Sequence, residues 1–254
     1  AAVNADNWQH FLIDETTPSA GVVVEGANLF FTEDARAALA QAAQVLFVKD
    51  SSANKCGVIC SSFEIAASLL IDEQGFLDIK GAFVSEVLER LRGLAQKEAA
   101  VLFSQYQRRP DIPLSQVSVR LSGAINRMKD AIIGRLQSLE PGDAARANAL
   151  VAQHLPPSLR QAAGATAIAA LPKAYFHRVI PSVLAGEIVY REGIDYLDGV
   201  GPERLGTLAI QYLRHVEETR RLIDAIAHTE IAERERIIQL LEHGGVRASM
   251  SLDE

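Results

Sequence analysis

Cysteine is scarce in this chain: only Cys56 and Cys60 occur among 254 residues. Two thiols cannot assemble a secreted disulfide framework or a four-ligand zinc site. Four apart on one predicted helix, they cannot close on each other while that helix is intact. A reducing, cytoplasmic setting is therefore expected. The six histidines offer no substitute, because they are scattered without HxxxH or carboxylate-bearing spacing, and no metal site is predicted. Excess positive charge is missing as well. The formal net charge of −7 argues against a basic field able to grip nucleic acid or anionic lipid. No apolar run approaches the roughly 20 residues that cross a bilayer. The opening AAVNADNWQHFLIDE lacks the basic and apolar regions of a secretion signal, and no repeat of solenoid period is present.

What is present is a hydrophobic fraction of 48%, enough for one large core or two modest ones. Residues 21–24 and 45–48 are valine-rich runs bounded by turn chemistry, a pattern that suits buried parallel strands. Between them TEDARAALAQAAQ reads as a helix, with Thr32 as cap and Glu33 and Asp34 in its positive first turn. Strand, helix, strand, helix implies a right-handed crossover, with ligand atoms beyond the carboxyl ends of the strands. From residue 80 the pattern becomes helical. Phe83, Val87, Leu88, Leu91, Leu94, Ala95 and Leu102 mark one long amphipathic helix to about Tyr106. A second stripe runs from Val117 to Leu136 and stops at EPGD. Further helices are expected over 158–171, 173–191 with a kink at Pro181, and 202–226. A last one closes in glycines, and the tail VRASMSLDE is expected to be loose. The expected fold is thus an α/β stump, 1–78, followed by a mainly helical region, 79–254. Two strands are too few for an independent doubly wound sheet. The stump is either the distal half of a Rossmann-like domain, or NWQHFLIDE adds an irregular third element.

Two turns could carry chemistry. In the first, EGANLFFT, Gly26 permits a tight turn or a close backbone approach, and Asn28 can donate and accept hydrogen bonds. Asn28 could equally satisfy its own backbone, as turn asparagines do. The second, KDSSANKCGVICSSFE, places Asp50, Ser51, Ser52, Asn54 and Lys55 before a helix beginning near Gly57, where free N–H groups favour an anionic or amide-bearing ligand. One cap needs one such residue and four are present. Ser61 and Ser62 inside the helix suggest a polar face toward a cleft. Lys49 and Asp50 are read as a strand-end salt bridge or cap in preference to an acid–base pair. GVGPERLG is an interhelical turn with Pro202 at the first helical position. RHVEETRRLIDAI is a solvated face with Glu–Arg pairs, the alternative being a partner-binding helix.

VVEGANLFFTEDAR and KDSSANKCGVICSSFEIAASLL resemble the distal half of the nucleotide-binding domain of glutamate dehydrogenases, above all the large NAD-specific class. The likeness covers residues 22–70 and continues more weakly through LPKAYFHRVIPSVLAGEIVYREGIDY. It implies NAD as cofactor, with glutamate and 2-oxoglutarate as substrate and product. Gly26, Ala27, Asn28 and Asn54 would bind the cofactor, Asn28 beside the ribose and nicotinamide, Asn54 on the nicotinamide side or the substrate. Val58 would line the pocket that selects glutamate by size, and Ser61 would bind the substrate's side-chain carboxylate. Cys56 stands where the family usually has glycine and would crowd the nicotinamide. The family's catalytic lysine and aspartate and its glycine-rich first turn have no match here. The resemblance therefore implies a C-terminal fragment with no catalytic residue of its own, inactive alone. A second reading makes the helical region a non-catalytic oligomerisation or regulatory module. Under either, the open strand edge implies a homo-oligomer.

Overall fold

The computed structural model describes residues 2–252, leaving aside the side chains of residues 243 and 252. The architecture is helix-rich with one small parallel sheet. In chain order the elements are a 3-10 turn Trp8–Phe11, β1 Val22–Val24, α1 Glu33–Ala43, β2 Leu46–Val48, α2 Asp50–Ala53, α3 Cys56–Leu70, α4 Glu73–Arg108 and α5 Leu114–Leu136. There follow α6 Pro141–His154, α7 Pro157–Ala169, α8 Lys173–Glu192, α9 Ile194–Asp198, α10 Pro202–Ala227, α11 Arg234–Leu240, a π-type turn Leu241–Gly245 and α12 Val246–Leu252. No described helix is long and apolar enough to cross a membrane.

The chain divides into two compact units, Ala1–Ile65 with Val84–Gly123, and Ala66–Phe83 with Ala124–Glu254. In the first, β1 and β2 pair in parallel, Val22 with Leu46, Val23 with Phe47 and Val24 with Val48. The α1 crossover begins where the sequence requires, the Thr32 hydroxyl accepting from the Ala35 N–H at 3.3 Å. One face of the sheet packs into a core of Val3, Phe31, Ala35, Leu39, Val45 and Phe47, joined by Trp8, Phe11, Leu12 and Val23. Phe31 sits at its centre, its ring 5.0 Å from Phe11 and 5.1 Å from Phe47. The residues before β1 thus belong to the core: Val3 bridges in parallel to Phe31, and Trp8–Phe11 is a 3-10 turn. The expectation of buried strands holds for β2 at Phe47 but not for β1, where Val22 and Val24 are 51% and 64% exposed. A layer covers one face only, so alternation decides the burial.

In the second unit α6, α8 and α10 pack through Leu150, Val151, Leu184, Ile188, Ala209, Tyr212 and Leu213, all buried. Each buried Leu, Ile or Val among them contributes roughly 1.5–3 kcal/mol by leaving water. The sequence reading missed α6 because EPGD looked like a stop. Pro141 instead starts the helix, its missing N–H costing nothing in a first turn. Pro202 behaves the same way at the head of α10, as expected. The last glycines do not end the final helix. Gly245 lies against α10, where a Cβ would meet Thr219 Cγ2 at 2.9 Å, and the chain runs on into α12 with Val246 fully buried. The tail to residue 252 is therefore helical; residues 253 and 254 lie outside the described residues. Nor is α10 only solvated. Arg214 holds the buried Asp143 of α6 by two hydrogen bonds of 2.8 and 2.6 Å, and Arg220 donates to Gln153 at 2.7 Å.

Candidate functional site

The two polar turns lie at the carboxyl ends of neighbouring parallel strands, the position at which α/β sheets present ligands. Glu25 extends the ladder, its N–H donating to the Val48 carbonyl at 3.0 Å. Its buried carboxylate takes a fork from Arg36 of α1, Nε at 2.6 Å and Nη2 at 2.8 Å, while Arg36 Nη1 reaches Glu33 at 3.0 Å. Hydrogen bonding to Glu25 raises the Arg36 pKa further above its ordinary range. This pair fixes the first turn to the head of α1.

Gly26 and Ala27 follow on the surface. A Cβ on Gly26 would meet nothing within 4 Å and its φ is not positive, so the fold itself does not demand glycine there. The strained position is Leu29, at φ 53°, a left-handed conformation that costs a side-chain-bearing residue roughly 1–2 kcal/mol. What holds it is Asp50: Oδ2 accepts from the Leu29 N–H at 2.8 Å, and Oδ1 accepts from Lys49 Nζ and the Ser51 N–H, each at 2.8 Å. Burial by itself would push the Asp50 carboxyl up. The Leu29 amide and Lys49 outweigh it and hold the group below the ordinary carboxylate range. The expected strand-end salt bridge is present, and it does more than cap.

Across the turns Asn54 Nδ2 donates to Asn28 Oδ1 at 2.9 Å, so the two asparagines singled out in the sequence meet. Their mutual bond leaves the Asn28 amide as donor and the Asn54 carbonyl oxygen as acceptor. The hydroxyls of Ser51 and Ser52 are buried without a hydrogen-bond partner. Beyond Asn54, Lys55 Nζ donates to Glu98 of α4 at 2.6 Å, and the exposed Cys56 opens α3, one residue before the expected start. Val58 is 78% exposed and Ser61 is exposed one turn on. Ser62 spends its hydroxyl on the Ile59 carbonyl at 2.8 Å, so it adds no free polar group. Among the described residues no group of three or more His, Cys, Asp or Glu is placed to hold a metal ion. An open cleft of about 240 Å³ belongs to the second unit, lined by Arg135, Leu139, Asp143, Thr207, Ile210 and Arg214 among others.

Sequence reasoning missed the bond from Leu29 to Asp50 and the Glu25–Arg36 fork. An acidic residue two positions after a strand and another directly before a turn glycine were the available signals. Neither showed its partner, which lies 21 and 11 residues away.

A family model for Glutamate/Leucine/Phenylalanine/Valine dehydrogenase matches residues 2–98. The NAD-specific glutamate dehydrogenase of Saccharomyces cerevisiae is 33% identical over 218 residues, 80% of this chain and 20% of the yeast protein. That of Neurospora crassa is 33% identical over 196 residues, 72% of this chain and 18% of its own length. Glutamate dehydrogenase 2 of Dictyostelium discoideum is 31% identical over 186 residues, 68% and 17%. No solved structure matches. The chain spans about a fifth of the length of the curated relatives it matches. With the family model on residues 2–98 and these relatives along most of its length, the chain resembles a part of a large NAD-specific glutamate dehydrogenase.

Proposed function

We propose that this chain is the C-terminal part of a cytoplasmic NAD-dependent glutamate dehydrogenase, which converts glutamate and water to 2-oxoglutarate and ammonia. Residues 1–78 are the distal part of its Rossmann-like domain and 79–254 its helical C-terminal region. The observation that carries this reading is the Asn28–Asn54 contact at the carboxyl ends of two adjacent parallel strands. NAD, when bound, supplies the hydride acceptor. The donor set fits it: the spare amide hydrogens of Asn28 and the spare oxygen of Asn54 match a primary carboxamide. Open space beside Gly26, with Ala27 exposed next to it, lets a ligand approach the backbone. Val58 and Ser61, exposed at the start of α3, take the substrate's apolar stem and distal carboxylate. All six residues bind and orient. None of the six carries an acid–base side chain, and of the neighbouring charged groups Lys49 and Asp50 are engaged with each other and with backbone amides, and Lys55 with Glu98.

The 254-residue chain by itself is therefore inactive, and glutamate-dependent reduction of NAD by it would defeat that claim. Titration with NADH should show weak saturable binding that Asn54→Ala lowers about tenfold, the loss of one well-made hydrogen bond. Absence of saturable NADH and glutamate binding transfers the reading to a non-catalytic oligomerisation or regulatory module. The exposed Val22 and Val24 favour that second reading, since an open apolar strand invites another copy of the chain.

A further inference from the structure

We infer that Asp50 is the positioning residue that sets the Asn28–Asn54 pair, an inference that rests on the nicotinamide-binding reading of that pair. The side-chain bond between the two asparagines is solvent-exposed, and an exposed amide–amide bond competes with water and orders little by itself. Something buried must bring the turns to that spacing. Asp50 is 7% exposed and touches both sides. Its carboxylate accepts from the N–H of Leu29, the residue after Asn28, at 2.8 Å. Its backbone carbonyl accepts from the N–H of Asn54 at 2.8 Å. One residue thus grips the chain beside each asparagine. The Leu29 backbone is held left-handed, at φ 53°, at the point of that grip. The Lys49 ammonium and the Ser51 N–H, both on Oδ1, fix the carboxylate so that Oδ2 is committed to Leu29. Asp50 does not reach the ligand. It acts through the asparagines.

A double-mutant cycle on the 254-residue chain, with NADH as probe, tests this. Asp50→Ala should weaken NADH binding about tenfold, to the level of Asn54→Ala, and the Asp50→Ala/Asn54→Ala pair should bind no more weakly than either alone. Asp50→Asn keeps one acceptor for Leu29 and should recover part of the affinity; it replaces Asp50→Ala in the cycle if the alanine variant does not fold. Side-chain amide NMR supplies the independent readout. In the Asp50 variant the Asn54 NH2 signals, the donor side of the pair, move to solvent-like shifts and Leu29 amide exchange quickens at least tenfold, while α8 and α10 signals stay in place. Unchanged NADH affinity, or additive losses in the cycle, overturns the inference. If the wild-type chain shows no NADH binding, the functional reading fails instead, and unshifted amide signals on removing Asp50 would then sink the positioning claim separately.

Discussion

At the scale of single residues, strain and burial of charge decide what each substitution does. Leu29 adopts a left-handed backbone with its side chain exposed, so little apolar burial is lost on replacing it. Leu29→Asn, which tolerates that conformation, should raise stability by up to about 1 kcal/mol in urea unfolding. A loss of stability would mean that the left-handed turn does not form in solution. Glu25 is the opposite case. Its carboxylate is wholly enclosed with the Arg36 fork, and Glu25→Ala leaves the buried guanidinium only the exposed Glu33 as a partner, a cost of up to about 3–5 kcal/mol. Chemical denaturation reads it directly. Asp143 is held below its ordinary value of 3.8, first by hydrogen bonding to Arg214 and then by the Arg214 and Arg146 charges, against burial. A depressed carboxylate pKa contributes stability that is fully present above the unfolded value and disappears as pH falls from 3.8 through the folded value. Asp143→Asn should lower stability at neutral pH and flatten the acid limb of the stability curve in that window. An unaltered acid slope would remove Asp143 from the account.

At the scale of elements, one close approach organises the end of the chain. Gly245 needs no unusual dihedral, since its φ is not positive. It is needed because Thr219 of α10 and Leu241 crowd the place of its side chain, at 2.9 and 3.2 Å. α12 then docks through Val246, and Ser249 reaches His215 Nδ1 at 2.9 Å and Glu218 at 3.0 Å. Arg247 lies over the Tyr196 ring, 5.0 Å from its centroid. Gly245→Ala should force the π-type turn away from α10, costing about 1–3 kcal/mol as overpacking does. Amide exchange should quicken in α12 before it does in α6 or α8. If α12 keeps its protection, the glycine is not what admits it.

At the scale of the whole molecule, the two-stranded sheet is the exposed feature. β1 has a partner on one edge only, and it turns Val22 and Val24 to solvent. A layer covers one face of the sheet; its other face and its edge stay open, and an open edge invites pairing with another chain. Self-association of the isolated chain is the expected outcome, visible as a rise in light-scattering mass with concentration. Val24→Lys should suppress it by placing charge on the edge. A clean monomer at every concentration would show that the valines tolerate water.

Much of this was legible in the sequence, because local signals are short-ranged. The valine runs, the Thr32 cap and the alanine-rich crossover helix appear where spacing and capping put them, and the long stripe of α4 is present on a helix that already starts at Glu73, ahead of the expected residue 80. The family likeness of residues 22–70 singled out the same two turns, and the two asparagines do meet. Tertiary structure decided the rest. Proline reads as a stop from one side and a start from the other, so α6 emerges only once its face packs on α8 and α10. Periodicity cannot say whether a second layer exists, so β1 was expected buried and is half open. Hydrogen bonds across 21 residues leave no mark on composition or period, and so only the fold could bring the carboxylate of Asp50 to the amide of Leu29.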